Sequence, residues 1–218
     1  MAEHTIQNKE TVLWINNSSI FYRKNNLIYA VTHKCASSFY TSLVKYNRWE
    51  KIKFVDIDWV NDRVFSFIID PYIRYAKGLA EDIQGMSLKS TNDLNLLLQD
   101  NTAFLSFHSI PISQIYKDYA YSIDWIPLDG DTPSESIILK LFEYHNIKIE
   151  WPEFKNYHKS TPKKIELFNK VKELIGNGNH IYYRLLSTDV DLYNTVLSRF
   201  NPNGETWNNI SWLQNDSR

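Results

Sequence analysis

The chain of 218 residues has a single cysteine and almost no net charge, and each of these features excludes a class of protein. One cysteine, Cys35, excludes an intramolecular disulfide framework and is typical of a reducing compartment. A formal net charge of −1 offers no general attraction for a polyanion. Because nucleic-acid binding usually requires a basic surplus, we expect no nucleic-acid partner.

Long apolar runs and metal-ligand spacings are also lacking. No apolar segment approaches the ~20 residues needed to span a bilayer, and the polar start of the chain, MAEHTIQNKETV, does not fit a signal peptide. These features predict no membrane span and a cytoplasmic location. No spacing of His, Cys, Asp or Glu predicts a metal site, so we expect no metal.

The residues that are present fit one folded domain over 1–218. Hydrophobic residues make up 43% of the chain and aromatic residues 15%, and a chain of this length can bury about 70% of its unfolded surface. The seven Trp and fourteen Tyr side chains suit core packing. They equally suit a surface that binds a polyhydroxylated ligand.

Alternating strand and helix patterns predict an α/β fold with a mostly parallel central sheet flanked by helices. We predict an N-terminal hairpin over about 11–23, with strands Thr11–Ile15 and Ile20–Arg23 around a turn at 16–19. A core over about 27–130 and C-terminal helices over about 132–200 follow. The predicted strands after the hairpin are Leu27–Thr32, Lys53–Ile57, Arg63–Ile69, Phe104–Phe107 and Ser122–Leu128. The predicted helices are Ser37–Tyr46, Tyr72–Ile83, Thr91–Leu98, Thr132–Tyr144, Pro162–Ile175 and Asp189–Phe200.

The segment Leu27–Val44, LIYAVTHKCASSFYTSLV, predicts a phosphate-binding turn. A strand turns into a helix at Lys34, Ser37 and Ser38, so that a full positive charge, two hydroxyls and the first N–H groups of a helix meet. The alternative is that a serine only caps the helix. The turn lacks the glycines of G-x-x-x-x-G-K-[ST], and its lysine lies three residues before the first hydroxyl.

Two segments of the core resemble the sulfotransferase family, most closely its carbohydrate branch. VTHKCASSFYTSL resembles the phosphosulfate-binding loop P-K-x-A-S-T-S, with His33 in place of the proline. VFSFIIDPYIRYAKG resembles a strand followed by R-[DN]-P-x-x-R-x-x-S, which holds the 3′-phosphate of the donor in that family. Asp70, Pro71 and Arg74 match this second motif, whereas Ile69 replaces its first arginine and Lys77 its serine.

Two further segments follow in the family's order. FHSIPISQIYKDYAYSIDWI, over 107–126, is similar to a family stretch with an H-x-x-P core followed by a strand that contains Asp. NYHKSTP, over 156–162, is similar to the N-x-x-x-K-S loop before the family's C-terminal helices. Together the four segments cover roughly 27–200.

The resemblance implies a P-loop-NTPase-like sulfotransferase fold whose core, about 27–130, binds a nucleotide. The co-substrate would be 3′-phosphoadenosine 5′-phosphosulfate (PAPS), and the acceptor a hydroxyl of a saccharide or a similar compound. Lys34 would act on the leaving group. The residues that would bind the donor are Lys34, Cys35, Ala36, Ser37, Ser38, Phe39, Arg74, Lys77, His158 and Lys159.

The acceptor hydroxyl requires a general base, because its pKa is far above neutral. His108 is the first choice, since it follows a predicted strand and matches the histidine of H-x-x-P; the alternative is a histidine with a purely structural role. His33, beside the phosphate-binding turn, is the second choice. No proposed step needs the thiol of Cys35, and Arg74 and Lys77 could instead form a solvated helix face.

Two other functions remain open from the sequence. One is a P-loop-type kinase or phosphotransferase, although the turn lacks the glycines that such a loop requires. The other is a degenerate sulfotransferase fold that binds a nucleotide or glycan without activity, which the isoleucine at position 69 favours.

Overall fold

The computed structural model of the chain describes residues 15, 17–84, 107–128, 134–151, 162–176 and 180–199. Its strands are β1 (Phe21–Lys24), β2 (Leu27–Ala30), β3 (Glu50–Ile52), β4 (Arg63–Ile68) and β5 (Asp124–Pro127). Its helices are α1 (Ser37–Tyr46), α2 (Pro71–Gln84), α3 (Ile112–Tyr116), α4 (Ser134–Tyr144), α5 (Pro162–Gly176) and α6 (His180–Arg199). Two short 3-10 helices lie at Phe54–Asp56 and Lys117–Ser122.

The described strands form one mixed sheet in the order β3-β1-β2-β4-β5. β2, β4 and β5 are parallel to one another, whereas β1 pairs antiparallel with both β2 and β3. The α/β class is therefore confirmed, with a parallel centre and an antiparallel edge of two strands. The carboxyl ends of β2 and β4 lead directly toward the two sequence motifs of the core.

The N-terminal hairpin lies later in the chain than predicted. β1 and β2 form it around the turn at Asn25 and Asn26, with Lys24 opposite Leu27. The predicted turn at 16–19 is wrong, because Ile15 and residues 17–18 are helical. Residues 11–14 of the predicted first strand lie outside the described residues.

Alternation along β2 places its side chains in two different cores. Tyr29 packs with Phe65 and Phe67 of β4 against α1 and α4 on one face. Ile28 and Ala30 face the other side, where α3 and α6 cover the sheet. Burial on both faces is what a parallel central strand requires, and it explains the continuous apolar run of LIYA.

Helix α2 has a third core of its own with α5 and α6, formed by Tyr75, Ala76, Leu79, Ile83, Val171 and Leu186. Pro71 opens the helix, as expected for a residue without an N–H at the first helical position. Asp70 accepts hydrogen bonds from the N–H groups of Tyr72 and Ile73, both at 2.9 Å. This cap fixes where α2 begins after β4.

Most predicted helices match the observed ones to within two residues at their described ends, but three predictions differ. The predicted strand at Lys53–Ile57 is a 3-10 helix over Phe54–Asp56, and strand β3 precedes it. α6 begins at His180 rather than at Asp189. The predicted helix over 91–98 and residues 104–106 of a predicted strand lie outside the described residues, and Phe107 lies in a turn.

Candidate functional site

The loop between β2 and α1 makes its tight turn without glycine. Lys34 has φ of 66° and Ala36 has φ of 51°, so two residues with side chains adopt the left-handed conformation within three positions. This conformation costs energy for a residue other than glycine, and strain of this kind clusters at functional sites. The turn places Lys34 two residues before Ala36, the N-cap residue of helix α1.

Hydrogen bonds from buried hydroxyl groups hold the end of β2 and the first residues of this loop. Ser66 of β4 donates to the Ala30 carbonyl at 2.6 Å and therefore accepts from the Thr32 hydroxyl at 2.7 Å. Tyr116 donates to the Val31 carbonyl at 3.1 Å. Burial raises the pKa of Tyr116 to about 12, so that its hydroxyl remains a donor.

Helix α1 begins without a side-chain cap. Its N-cap residue is Ala36, which forms no side-chain cap hydrogen bond, so the serine-cap alternative is wrong. The first intrahelical bond runs from the Tyr40 N–H to the Ala36 carbonyl. The N–H groups in the first turn of a helix point along its axis toward the preceding loop, and such groups are suited to an anion.

One face of α2 is directed at this loop. Arg74, Gly78, Glu81 and Asp82 follow one another at spacings of four, three and one, which places them along one side of the helix. A Cβ atom added at Gly78 would lie 2.0 Å from the carbonyl oxygen of His108. The absence of a side chain at Gly78 therefore lets the segment that carries His108 pack directly on α2.

Arg74 is fully buried and holds two loops together. Its Nε donates to the carbonyl oxygen of His33 at 3.1 Å and its Nη1 to that of Ile110 at 2.7 Å. The expected contact of Arg74 with the 3′-phosphate is thus replaced by contacts with backbone, and the solvated-face alternative is also wrong for this residue. Lys77 is exposed on α2, and Ile69 packs in the core.

The side chain of Glu81 is the centre of the charged cluster at this site. Its Oε2 accepts a hydrogen bond from the Lys34 ammonium and another, at 2.5 Å, from Lys164 in the first turn of α5. Its Oε1 lies 3.8 Å from Nε2 of His108. One carboxylate group therefore separates two ammonium groups from an imidazole nitrogen.

The charges in this cluster are set by burial and by close pairing. Burial alone would raise the pKa of Glu81, but hydrogen bonds from Lys164 and Lys34 outweigh it and hold the pKa at about 2. Burial lowers the pKa of Lys34, and pairing with Glu81 opposes that shift. The Glu81 carboxylate is consequently ionised throughout the physiological pH range.

His108 is held by the neighbouring carboxylate of α2. Its Nδ1 lies 3.2 Å from Oδ1 of Asp82, whose Oδ2 accepts from the Ser109 hydroxyl at 2.8 Å. A carboxylate beside Nδ1 favours the tautomer with the proton on Nδ1 and leaves a lone pair on Nε2. Nε2 lies on the side of the ring that faces Glu81, 3.8 Å from its Oε1.

His33 contacts His108 edge to face, with ring centroids 5.0 Å apart. Burial lowers the pKa of His33 to about 4, and the nearby His108, Arg74 and Lys34 add to this effect. The His33 ring is therefore neutral near pH 7 and a weak proton acceptor, which argues against His33 as the base.

The structure thus brings His108 together with His33 and Lys34, which are adjacent to each other in a distant segment of the chain. It corrects the expectation for Cys35, whose side chain is fully buried in the core and not presented to a ligand. Phe39 packs against Trp151. His158 and Lys159 lie outside the described residues.

Three residues of the cluster were missed by sequence reasoning: Glu81, Asp82 and Lys164. Their signal was helical spacing, because Glu81 and Asp82 lie seven and eight residues after Arg74 and so share its side of α2. Lys164 gave no such signal, since its approach to Glu81 depends on how α5 packs against α2.

No protein-family model, no curated protein and no solved structure matches this chain. The described residues contain no group of three or more His, Cys, Asp or Glu side chains placed to hold a metal ion. Within the described parts of the chain, no helix has both the length and the apolar character to cross a membrane. The geometry of the cluster and the sequence motifs are therefore the features that point to a function.

Proposed function

We propose that this protein transfers a sulfuryl group from 3′-phosphoadenosine 5′-phosphosulfate to a hydroxyl of a saccharide or a similar acceptor, on a P-loop-NTPase-like sulfotransferase fold. The observation that carries the proposal is the arrangement of Lys34 and His108 across the single carboxylate of Glu81. The Lys34 ammonium and Nε2 of His108 are separated by one small planar group, the Glu81 carboxylate. This spacing would let the two residues face opposite sides of a transferred sulfuryl group.

In the proposed reaction the acceptor oxygen forms a bond to sulfur while the bond from sulfur to the bridging phosphate oxygen breaks. Nε2 of His108 accepts the proton of the acceptor hydroxyl, and Lys34 balances the charge that develops on the leaving phosphate. Asp82 keeps the other proton of the imidazole on Nδ1. As in phosphoryl transfer, the protein mainly positions the groups and neutralises charge.

A second candidate function is a sulfotransferase-like protein that binds a nucleotide or glycan without turnover. The burial of Ile69 and Arg74 favours it, because neither side chain is presented to a 3′-phosphate. Lys77 is then the cation on α2 that is exposed and able to supply this contact.

Calorimetric titration with 3′-phosphoadenosine 5′-phosphate, AMP and ATP, combined with a transfer assay using the phosphosulfate donor and a panel of saccharides, tests the proposal. We expect the 3′-phosphorylated nucleotide to bind more than about threefold more tightly than AMP, which corresponds to roughly 0.6 kcal/mol. Lys77→Ala should reduce that preference. A preference for ATP would instead support a phosphotransferase.

Lys34→Ala should abolish transfer and weaken nucleotide binding, because the loop contains no second full positive charge. Ser37→Ala and Ser38→Ala should each cost less, about 1.5–3 kcal/mol for one hydrogen bond to a charged group. Lys45→Ala, at the far end of α1, is the matched control. Transfer that survives Lys34→Ala would refute the proposed site, and binding without any transfer would favour the second candidate.

A further inference from the structure

Two lysines from distant parts of the chain converge on one oxygen atom. Lys34 belongs to the loop before α1 and Lys164 to the first turn of α5, and both ammonium groups contact Oε2 of Glu81. Two like charges at such close range repel each other unless an anion lies between them. The convergence of these lysines therefore creates a position that an anion must occupy.

This position is accessible from solvent. The side chains of Lys34, Glu81 and Lys164 are 15%, 33% and 29% exposed, so the cluster is neither sealed in the core nor spread over an open surface. Glu81 is attached to α2 by a flexible side chain, and it can turn outward without any movement of the helix. An incoming anion can thus replace the carboxylate while both lysines stay in place.

We propose that Lys34 and Lys164 form a binding site for a diphosphate-like oxyanion, and that Glu81 is a resident carboxylate which the ligand displaces. The two-lysine site follows from the contacts themselves. The identification of its ligand as the phosphosulfate group of the donor rests on the proposed function.

Displacement of a resident carboxylate makes the site selective for ligands of high charge. A ligand that carries a single negative charge only replaces the charge of Glu81 and gains nothing from the two lysines. A ligand with two or more negative charges leaves a surplus of attraction after the exchange. Glu81 thereby excludes small monovalent anions while the donor is absent.

Titration of the full-length protein with inorganic pyrophosphate, at fixed ionic strength, tests this inference without any nucleotide. Glu81→Gln keeps the size of the side chain and removes its charge, and we expect pyrophosphate to bind about tenfold more tightly to this variant. Glu166→Gln is the matched control, because Glu166 also pairs with a lysine of α5, Lys170 at 2.7 Å, but on an exposed face. The control should change the affinity less than about twofold.

Lys164→Ala should weaken pyrophosphate binding at least about fivefold, whereas Lys163→Ala, the neighbouring exposed lysine, should not. In the double variant Glu81→Gln/Lys164→Ala, the gain in pyrophosphate affinity caused by Glu81→Gln should be smaller. One of the two lysines that pair with the Glu81 carboxylate is then absent. Thermal unfolding of each variant verifies that it is folded.

The outcomes separate this inference from the proposed function. If Glu81→Gln does not bind pyrophosphate more tightly although the wild-type protein transfers sulfuryl groups, the inference that a ligand displaces Glu81 is overturned. The proposed function is then unaffected. Tighter binding to Glu81→Gln without sulfuryl transfer by the wild-type protein supports the displacement and removes the function.

Discussion

The Asp82 carboxylate determines which nitrogen of His108 carries its proton. Asp82 receives the Ser109 hydroxyl on one oxygen and faces Nδ1 of His108 with the other, so its side chain is held from two directions. It is only 5% exposed, which strengthens its effect on the neighbouring ring. The tautomer of His108 is therefore set by Asp82, whereas Nε2 faces Glu81, the preceding residue of α2.

His108→Ala should lower turnover by a factor of about 10²–10⁴ and leave nucleotide affinity nearly unchanged, because the base contacts the acceptor rather than the donor. Steady-state kinetics and calorimetry on the same variant measure the two effects. An equal loss of nucleotide affinity would place His108 on the donor side.

Asp82→Asn should cause a smaller loss of turnover, on the order of tenfold or more, because an amide can present an N–H to Nδ1 and favour the wrong tautomer. If Asp82 positions the imidazole of His108, Asp82→Asn should shift the pH dependence of kcat in addition to lowering its maximal value. Ser109→Ala, which removes the hydrogen bond from the Ser109 hydroxyl to Asp82, is the control. An unchanged pH profile in Asp82→Asn would contradict this role.

Ala36→Gly should leave the free energy of unfolding unchanged or raise it by up to about 1 kcal/mol, because glycine adopts the left-handed conformation without strain. The same change at Ala76, inside helix α2, should lower it by about 1 kcal/mol or more. Urea unfolding of both variants makes the comparison. A clear loss of stability in Ala36→Gly would show that the turn is not strained.

At the scale of elements, α2 carries three separate tasks on one helix. Its N-terminal part holds two loops through Arg74, its middle admits the backbone of His108 at Gly78, and its C-terminal part supplies Glu81 and Asp82. Helix α2 thus sets the distances among groups that come from four segments of the chain.

Gly78→Ala should lower the free energy of unfolding by about 1–3 kcal/mol, because the added methyl group overlaps the backbone of His108 and forces it to move. Intrinsic helix propensity would favour alanine by about 1 kcal/mol, so the expected sign is opposite to the usual one. Lys77→Ala on the exposed side is the control in urea unfolding. Stabilisation by Gly78→Ala would mean that this segment packs less closely than the structure indicates.

Much of the element pattern could be predicted because local signals agree with the tertiary structure. Helix α1 was predicted with its observed bounds, since the apolar spacing of Ser37–Tyr46 and the strand before it indicate the same boundary. The 3-10 helix at Phe54–Asp56 was mistaken for a strand because a segment of three residues is too short to show a hydrophobic periodicity. The hairpin was misplaced because Asn-Asn at 25–26 and the polar run at 16–19 are both turn signals.

The site could be predicted only as far as its motifs extend. Lys34 and His108 follow from sequence because each lies in a recognisable segment. The burial of Arg74 could not be inferred, since an arginine four residues after Asp70 and three before Lys77 has the same sequence pattern whether it faces solvent or two carbonyl groups. The sulfotransferase resemblance and the single-domain assignment stay predictions.

At the scale of the whole molecule, two titratable groups make the stability of the fold respond to acid in the same direction. The pKa of His33 is lowered to about 4 from an ordinary value of 6.5, so the unfolded chain binds more protons between these values. The pKa of Glu81 is held at about 2 instead of 4.5, so its stabilising contribution is full above 4.5 and is lost as the pH falls toward 2. Both effects destabilise the fold in acid.

The urea midpoint of the wild-type protein should therefore fall as the pH drops from 6.5 toward 4. In His33→Phe, which keeps a ring against His108 but cannot titrate, the fall over this window should be smaller. Unfolding curves at four or five pH values for both proteins supply the measurement. Parallel pH dependences would show that His33 is not the group that responds.

The carboxylate of Asp189 in α6 has a consequence for the order in which the protein matures during synthesis. Asp189 is buried and accepts the N–H groups of Ile112 and Ser113 at 2.7 and 2.8 Å, immediately after the segment that carries His108. A nascent chain folds from its N-terminus as it leaves the ribosome. The strands, the Lys34 loop and α2 precede residue 189 in the chain, so Ile112 and Ser113 gain their carboxylate partner only after those elements have been translated. The Asp189 contact is therefore added late in synthesis to a segment that Arg74 and Gly78 can already hold.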